Sequence, residues 1–557
     1  MDGQLACVAV LLMMAASPIA ATGNDALDVW AVDPLEKVFR DAAPVESAAA
    51  TAHAARGETV DFQLVVRPPV ALETLRATVS SFTHEDDEHT LDDGEIRFIG
   101  YVHVDRPTQR PSSDQLCPPP CDYPDVLLED AYVAVSAGHA QPVWITVSVP
   151  VDTLPGVYAA TVTITGDDTF SHTISLNLHV YPVVVEKTRL WATNWFSMQW
   201  RHLDITPEPE SDDYYALLRR YARSMAAHRQ NVALISPLNL ATYSIDASGA
   251  LAFDFSRFDR WVHIFIEEGV IGRIEGGHIG GRKEGWMSEF VAQTRVIRDG
   301  AVVSETVAPD SKAAHTFYSA FFPALVAHLK AQGWLDIYMQ HLADEPIAVN
   351  LGSYRALAAL AREYAPELRI IEATHAKDLV GSIDVWVPQL NYLHDDFAHY
   401  QERQAAGDEV WFYTCVFPQG EYANRFIEQP LIKTRLLHWI NYRYGITGYL
   451  HWGYNQWTSD DPVTHTTRPH GGPPYLPAGD PWIVYPGKDG PLSSIRFAAM
   501  RDGIVDHELL CMLADTNPDA AHRLAERLIL DFDHYETDIA AFRAARLELL
   551  SALSEAM

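Results

Sequence analysis

The stretch Asp336-Ile-Tyr-Met-Gln-His-Leu-Ala-Asp-Glu-Pro346, followed by the helical pattern Tyr354 to Tyr364, decides how this chain folds. An apolar run of strand length, Asp336 to Ala343, stops abruptly at two acids and a proline, and an amphipathic helix follows. The same texture extends in both directions. Strand-like runs occupy Leu190 to Phe196, Asn231 to Pro237, Ile271 to Gly280, Arg369 to Thr374, Ile383 to Leu390, Glu409 to Phe417 and Ile446 to Trp452. Helical patterns lie between most of them, including Tyr214 to His228, Phe317 to Gln332 and Leu431 to Tyr444. About eight strand-helix units in roughly 300 residues is the arithmetic of a (β/α)8 TIM-like barrel. An open doubly wound sheet is the alternative. The run Gly276-Gly-His-Ile-Gly-Gly281 lacks both the lysine and the spacing of a phosphate loop or dinucleotide fingerprint.

Upstream the period changes from helical to two. Gln63-Leu-Val-Val66, Ile96 to Val104, Val143 to Val149, Tyr158 to Thr165 and Ile174 to Val180 alternate apolar and polar residues, with turn residues between them. Short strands at close spacing without intervening helices predict an all-β sandwich. The expected layout is a signal peptide over 1–21, an N-terminal β-sandwich over 25–187, an α/β barrel over 188–512 and C-terminal helices over 513–557. The Pro-, Gly- and His-rich segment Thr458 to Pro491 is too long for a passive connection and is expected to form a lid or pocket wall.

The 557 residues carry 74 acidic and 41 basic side chains, a formal net charge of -33. That charge repels a phosphate backbone, and no basic patch offsets it, so a nucleic-acid partner is not expected. The 14 Trp and 24 Tyr suggest instead flat rings that stack on sugars. Leu5 to Ala16 is apolar but too short to span a bilayer, and small residues follow it. This reads as a secretory signal cleaved near Ala20 or Ala21, although no basic residue precedes the apolar run; an uncleaved hydrophobic anchor is the alternative. No later run is long enough to cross a membrane. An oxidising compartment could close a short disulfide between Cys117 and Cys121; Cys415 reads as a buried core thiol.

Asp344 and Glu345 stand where a barrel strand gives way to its loop, the position that barrel enzymes use for catalysis. Pro346 disfavours helical geometry at Glu345, which is therefore expected to be extended. The plainer reading is an acidic pair preceding the helix at Tyr354. A conventional retaining glycosidase needs two carboxylates about 5–5.5 Å apart across the scissile bond. Adjacent residues of an extended chain face opposite ways and suit that poorly. They suit better a general acid beside a carboxylate that orients a nucleophile carried by the substrate, such as a 2-acetamido group.

Asp344-Glu-Pro346, Asp384-Val-Trp-Val-Pro-Gln-Leu-Asn-Tyr392, Leu431 to Trp439, Gly448-Tyr-Leu-His-Trp-Gly-Tyr-Asn-Gln-Trp457, Tyr485-Pro-Gly487, Ser494-Ile-Arg496 and Met500-Arg-Asp-Gly503 together resemble glycoside hydrolase family 123. The resemblance covers about Leu190 to Leu510, and the sandwich resembles the family's N-terminal domain. It implies a retaining β-N-acetylgalactosaminidase working by substrate assistance. Glu345 is then the general acid/base, Asp344 orients the acetamido group, and Tyr392 donates a hydrogen bond to its oxygen. A raised pKa at Glu345, supplied partly by a negative Asp344, fits that role.

The remaining candidate substrate-binding residues are Trp195, His341, Trp386, Asn391, Trp452, Tyr454, Asn455 and Trp457, at or just beyond strand ends. For each Trp, core packing is the competing explanation. Glu372 and Asp384 are the rival nucleophiles of a conventional glycosidase, and Arg496 and Arg501 are read as structural ion-pair partners. The late histidines, among them His375, His394, His399 and His451, lack metal-ligand spacing, so neither metal nor cofactor is expected. The expected partner is a carbohydrate. Sugar epimer, aglycone, terminal or internal cleavage and oligomeric state are not encoded legibly.

Overall fold

In a computed structural model, residues 27–46, 50–92, 94–167, 170–468 and 475–556 are described. The expected signal segment 1–21 lies outside them. Among the described residues no helix is long and apolar enough to cross a membrane.

The N-terminal region is two facing sheets. One is ordered Asp28–Val32, Thr59–Arg67, Gln141–Ser148, Glu95–Val104, Cys121–Leu128, with antiparallel neighbours. The other centres on the long hairpin Gly156–Gly166 and Phe170–Val184, flanked by Leu72–Val79 on one side and by Ala50–Arg56, in parallel, on the other. Phe62, Leu64, Val143, Ile145, Val162 and Leu178 fill the space between the sheets. The first sheet is apolar on its other face too: Tyr123, Val126 and Trp144 join the core of the barrel. Cys117 and Cys121 form a disulfide at the edge of this sheet.

Eight strands from the middle of the chain then pair in parallel. The first barrel strand is Trp191–Asn194 and the second Val232–Leu234. The third is Arg273–Glu275, the fourth Tyr338–Gln340, the fifth Arg369–Thr374 and the sixth Val385–Pro388. The seventh is split into Glu409–Val410 and Phe412–Tyr413, and the eighth is Gly448–His451. Strands two to seven run in order, the seventh pairs with the eighth, and the eighth pairs with the first. Between first and second the ladder is reduced to Asn231, whose N–H donates to the Ala192 carbonyl at 3.2 Å.

Val232, Met339, Ile371, Val385, Val387, Trp411 and Leu450 fill the interior, where strand residues of alternating parity meet. Trp411 fits because the eighth strand starts with Gly448, whose Cβ would lie 2.3 Å from the indole. Helices Asp212–Ala227, Ser256–Glu267, Lys312–Gln332, Leu351–Tyr364, Phe397–Ala405, Leu431–Arg443 and Ile495–Thr516 form the outer layer. The fifth unit has no helix; residues 375–384 carry the chain directly to the sixth strand.

Two features depart from the sequence reading, and a third adds to it. After the third strand, a three-stranded antiparallel sheet, Gly280–Arg282, Phe290–Arg298 and Ala301–Val307, is inserted before the helix. The helix Ile495–Thr516 runs across position 512, so the C-terminal segment departs after that helix and not within it. The segment 458–491, expected as a lid or pocket wall, lines the mouth through Asp480, which accepts from Trp452, and in its described parts is also a strap. It joins the sandwich edge through the N–H of His103, which donates to the Val463 carbonyl, and the hydroxyl of Thr466, which donates to the His103 carbonyl.

Sandwich and barrel share buried charge. Arg496 donates to both Asp125 oxygens, with Nη2 at 2.8 Å from Oδ2, and the Tyr485 hydroxyl donates to the same carboxylate at 2.6 Å. Arg501 pairs with Asp61, and Arg546 spans Glu58 and Asp506. Arg496 and Arg501 are thus ion-pair partners across the domain boundary. Fixed geometry between the regions follows from such desolvated pairs, which lose heavily if one partner is removed.

Candidate active site

The C-terminal strand ends gather a polar layer over the apolar interior. Glu275 ends the third strand and accepts from the Thr193 hydroxyl at 2.7 Å and from the Trp195 indole at 3.2 Å. His341, fully buried, lies between two acids: Nε2 is 3.2 Å from Glu275 and Nδ1 is 3.0 Å from Glu372. Burial alone lowers an imidazole pKa, but hydrogen bonds to Glu275 and Glu372 overcome it and raise His341 to about 10. It is an imidazolium clamp, not a surface for sugar.

Glu372 is fully committed. Besides His341 it takes His278 Nε2 at 3.2 Å, the N–H groups of Leu342 and Ala343 at 2.8 and 2.9 Å, and the Tyr354 hydroxyl at 3.3 Å. Burial pushes its carboxyl up, yet the His278 charge and the bonds from His278 and His341 prevail and hold it at about 2. His278, His341 and Glu372 have the composition of a metal trio. In the protonation state that the two acids favour, both His341 nitrogens donate to carboxylates. Asp384 is at the opposite end of the barrel, just before the sixth strand, where it pairs with Arg362 and accepts from the Ile370 N–H. Neither rival nucleophile is placed to attack a substrate at the barrel mouth.

Asp344 and Glu345 form the turn leaving the fourth strand. The Glu345 N–H donates to the Ala373 carbonyl at 3.1 Å. Arg282, from the inserted sheet, donates Nη1 to the Asp344 carbonyl at 2.9 Å and Nη2 to the Glu345 carbonyl at 2.8 Å. Glu345 is not extended: its φ is 50°, in the left-handed region. Pro346 disfavours right-handed helical geometry at the preceding residue, and the left-handed turn brings the carbonyls of Asp344 and Glu345 to the same guanidinium of Arg282.

The Glu345 carboxylate accepts from the Tyr413 hydroxyl and faces His375 Nε2 at 3.2 Å; His375 Nε2 and the Tyr413 oxygen are 2.7 Å apart. Tyr392 lies with its ring 4.8 Å from that of His375, and burial and the Glu345 charge raise its hydroxyl pKa. For the acidic pair, burial and the Glu345 charge raise Asp344 to about 6. At Glu345 burial also raises, but the hydrogen bond and charge of His375, the Tyr413 hydroxyl and Arg282 outweigh it, and the pKa is lowered. This reverses the sequence expectation of a raised Glu345. The surroundings thus favour the protonated form at Asp344 and the ionised form at Glu345, and the two titrate as a pair.

Of the other expected site residues, Trp195 and Trp452 stand half-buried over the barrel interior, and Trp452 donates to Asp480 at 2.9 Å. Asn391 accepts from Gln389 at 2.5 Å beside Tyr392. Four belong elsewhere. Trp386 alternates with the inward Val385 and Val387, so it faces outward, donating to Asp408 at 3.0 Å and packing against His399 and Tyr400. Tyr454 is fully buried against Tyr221 and Phe497 and donates to Ser224. Trp457 is buried with its indole on the Val484 carbonyl. Asn455 clasps the backbone of Ser197 with both amide atoms.

Residues the sequence reading left out of the site are Glu275, His278, Arg282 and Tyr413, together with His375, which it weighed only as a metal ligand. His375 was findable as the first polar residue past the fifth strand. Tyr413 was hidden inside an apolar run, and Arg282 inside an insertion with no barrel signal.

A closed parallel barrel with a half-buried acid pair at its C-terminal mouth has the layout of a barrel enzyme working by acid–base chemistry. The model of the glycoside hydrolase 123 catalytic domain matches residues 206–513, and that of the family's N-terminal domain matches residues 37–166. The chain belongs to glycoside hydrolase family 123 and is a glycosidase. Among solved structures it is similar to a family 123 glycoside hydrolase from Clostridium perfringens, a study of which concerns glycolipid glycan hydrolysis. The identity is 16%, with 95% of this chain and 97% of that chain covered and a TM-score of 0.72. That likeness carries the fold over nearly the whole length. A Bacteroides ovatus family 5 xyloglucanase matches at 9% identity and a TM-score of 0.30, covering 82% and 98%. A β-glucuronidase from Dictyoglomus thermophilum matches at 9% and 0.31, covering 80% and 66%. No curated protein matches the sequence.

Proposed function

We propose that this glycosidase is exported and releases terminal β-linked 2-acetamido sugars, N-acetylgalactosamine foremost, with retention through an oxazoline. The observation that carries the reading is a contrast among the acids: Glu275, Glu372 and Asp480 are fully buried and Asp384 pairs with Arg362 at the opposite end of the barrel, whereas Asp344 and Glu345 keep part of their surface exposed at the mouth. One acid/base and one orienting carboxylate are the complement that substrate assistance needs.

Glu345 protonates the glycosidic oxygen as the acetamido carbonyl oxygen attacks the anomeric carbon, and the C–O bond to the leaving group breaks. Asp344 accepts the acetamido N–H and stabilises the positive charge that develops on the oxazoline. Tyr392 donates to the acetamido oxygen. Glu345, now a carboxylate, takes a proton from water as that water attacks the anomeric carbon and reopens the ring. The proton must begin on Glu345, whereas the surroundings of the free pair favour it on Asp344. An acetamido N–H arriving at Asp344 favours the ionised form there and drives the proton across. The Cys117–Cys121 disulfide suits the oxidising compartment that export implies.

The test is hydrolysis of aryl 2-acetamido and 2-hydroxy β-glycosides, each in the galacto and gluco series, with wild type and Glu345→Gln. The reading expects turnover of the acetamido substrates, fastest in the galacto series, and near-complete loss in Glu345→Gln when the leaving group is poor. A covalent adduct with a 2-fluoro sugar contradicts it.

A further inference from the structure

We infer that Trp286 is the platform of a leaving-group subsite that takes a pyranose ring, a role that rests on the proton donor being Glu345 as proposed above. Trp286 lies between Gly280–Arg282 and Phe290–Arg298 in the inserted sheet and is 44% exposed. Its neighbour Met287 is 67% exposed. A single exposed apolar side chain is ordinary on any protein. This one is held from behind. The Arg282 guanidinium carbon lies 3.9 Å from the centre of the indole, and Arg282 Nε donates to the Trp286 carbonyl at 3.0 Å.

The other two nitrogens of the same guanidinium hold the carbonyls of Asp344 and Glu345. One side chain therefore fixes the exposed ring relative to the acidic turn. On the catalytic side the indole meets His375, ring centres 5.8 Å apart, and His375 is 3.2 Å from the Glu345 carboxylate. Trp286 is thus one imidazole away from the proton donor.

Position decides which sugar it serves. A general acid lies against the oxygen it protonates, so a ring just beyond the acid flanks the part of the substrate attached to that oxygen. In this placement the cleaved sugar takes the space over the barrel interior, against which Trp195 and Trp452 pack. An indole has the flat apolar face and polar edge that suit the C–H face of a pyranose. Arg282 lies over the indole on one side, and the part of the ring that remains exposed is what a leaving sugar can reach.

The test compares two substrates with the same terminal β-linked 2-acetamido galactoside: its methyl glycoside, and the disaccharide in which it is linked to galactose. Trp286→Ala is expected to lower kcat/KM on the disaccharide at least about tenfold more than on the methyl glycoside. Trp286→Tyr is expected to restore most of the difference. Equal losses on both substrates overturn the inference, because the ring then only supports Arg282 and the acidic turn. Equal retention on both overturns it as well. If wild type cleaves neither substrate, the function proposed above fails and the subsite falls with it, a result distinct from any failure of the variant alone.

Discussion

Glu345 is held at φ 50° by contacts that are all nameable: Pro346 after it, Arg282 on its carbonyl and the Ala373 carbonyl on its N–H. A left-handed non-glycine residue costs about 1–2 kcal/mol and persists where its surroundings over-determine it. Here the cost aims the acid at His375 and Tyr413. The proton on the pair gives a pH prediction. Asp344, raised to about 6, keeps the last proton below that pH and releases it above. In the proposed mechanism the reaction starts from the singly protonated pair, so kcat/KM is expected to fall as pH rises through about 6. Tyr413→Phe removes a donor that favours charged Glu345, so the proton is held more tightly and the falling limb moves to higher pH. Stopped assays across pH 4 to about 9 check it, and a limb that moves down contradicts it. Asp344 and Glu345 were legible in the sequence because charge interrupts an apolar run. Tyr413 was not, since a tyrosine that joins such a run carries no polar mark.

At the scale of elements, the fourth and fifth strands are joined at their ends by Glu372, which ties down the N–H groups of Leu342 and Ala343 as well as His341 and His278. Glu372→Gln leaves the His341 imidazolium with one of its two acids. The expected results are a destabilisation of about 3–5 kcal/mol and a fall in kcat larger than the rise in KM, measured by urea unfolding and steady-state kinetics. Trp386→Ala opens a cavity under Phe397–Ala405 and costs about 3–5 kcal/mol with KM unchanged. A raised KM places Trp386 in the substrate site after all. The barrel strands were readable as apolar runs, and all eight recur in the fold. Their parity was not: where both faces of a strand are buried, Val385, Trp386 and Val387 look alike in sequence, though the middle one points away from the site. The inserted sheet that carries Arg282 and Trp286 was also illegible, because it interrupts a strand-helix unit without altering the count.

For the whole molecule, the sandwich behaves as a wall of the barrel more than as a separate module. Its five-stranded sheet is apolar on both faces, and the buried pairs Asp125–Arg496 and Asp61–Arg501 cross the boundary. Arg496→Met strands the Asp125 carboxylate and is expected to cost about 3–5 kcal/mol. Replacing Asp125 and Arg496 together with apolar residues of similar volume is expected to recover most of that loss. Sandwich and barrel are expected to unfold in one transition followed by both fluorescence and circular dichroism; two separated transitions contradict the coupling. The acidic excess of the composition includes the two carboxylates of the proposed chemistry, and the aromatic excess divides between core rings such as Trp386 and Trp411 and mouth rings such as Trp195 and Trp286.

The proposed nucleophile belongs to the substrate, and the rate ratio between an aryl 2-acetamido β-galactoside and its 2-hydroxy counterpart tests that directly. With the acetamido oxygen as nucleophile, kcat/KM for the acetamido substrate exceeds that for the hydroxy substrate by at least about a hundredfold. Comparable rates on the two contradict the mechanism.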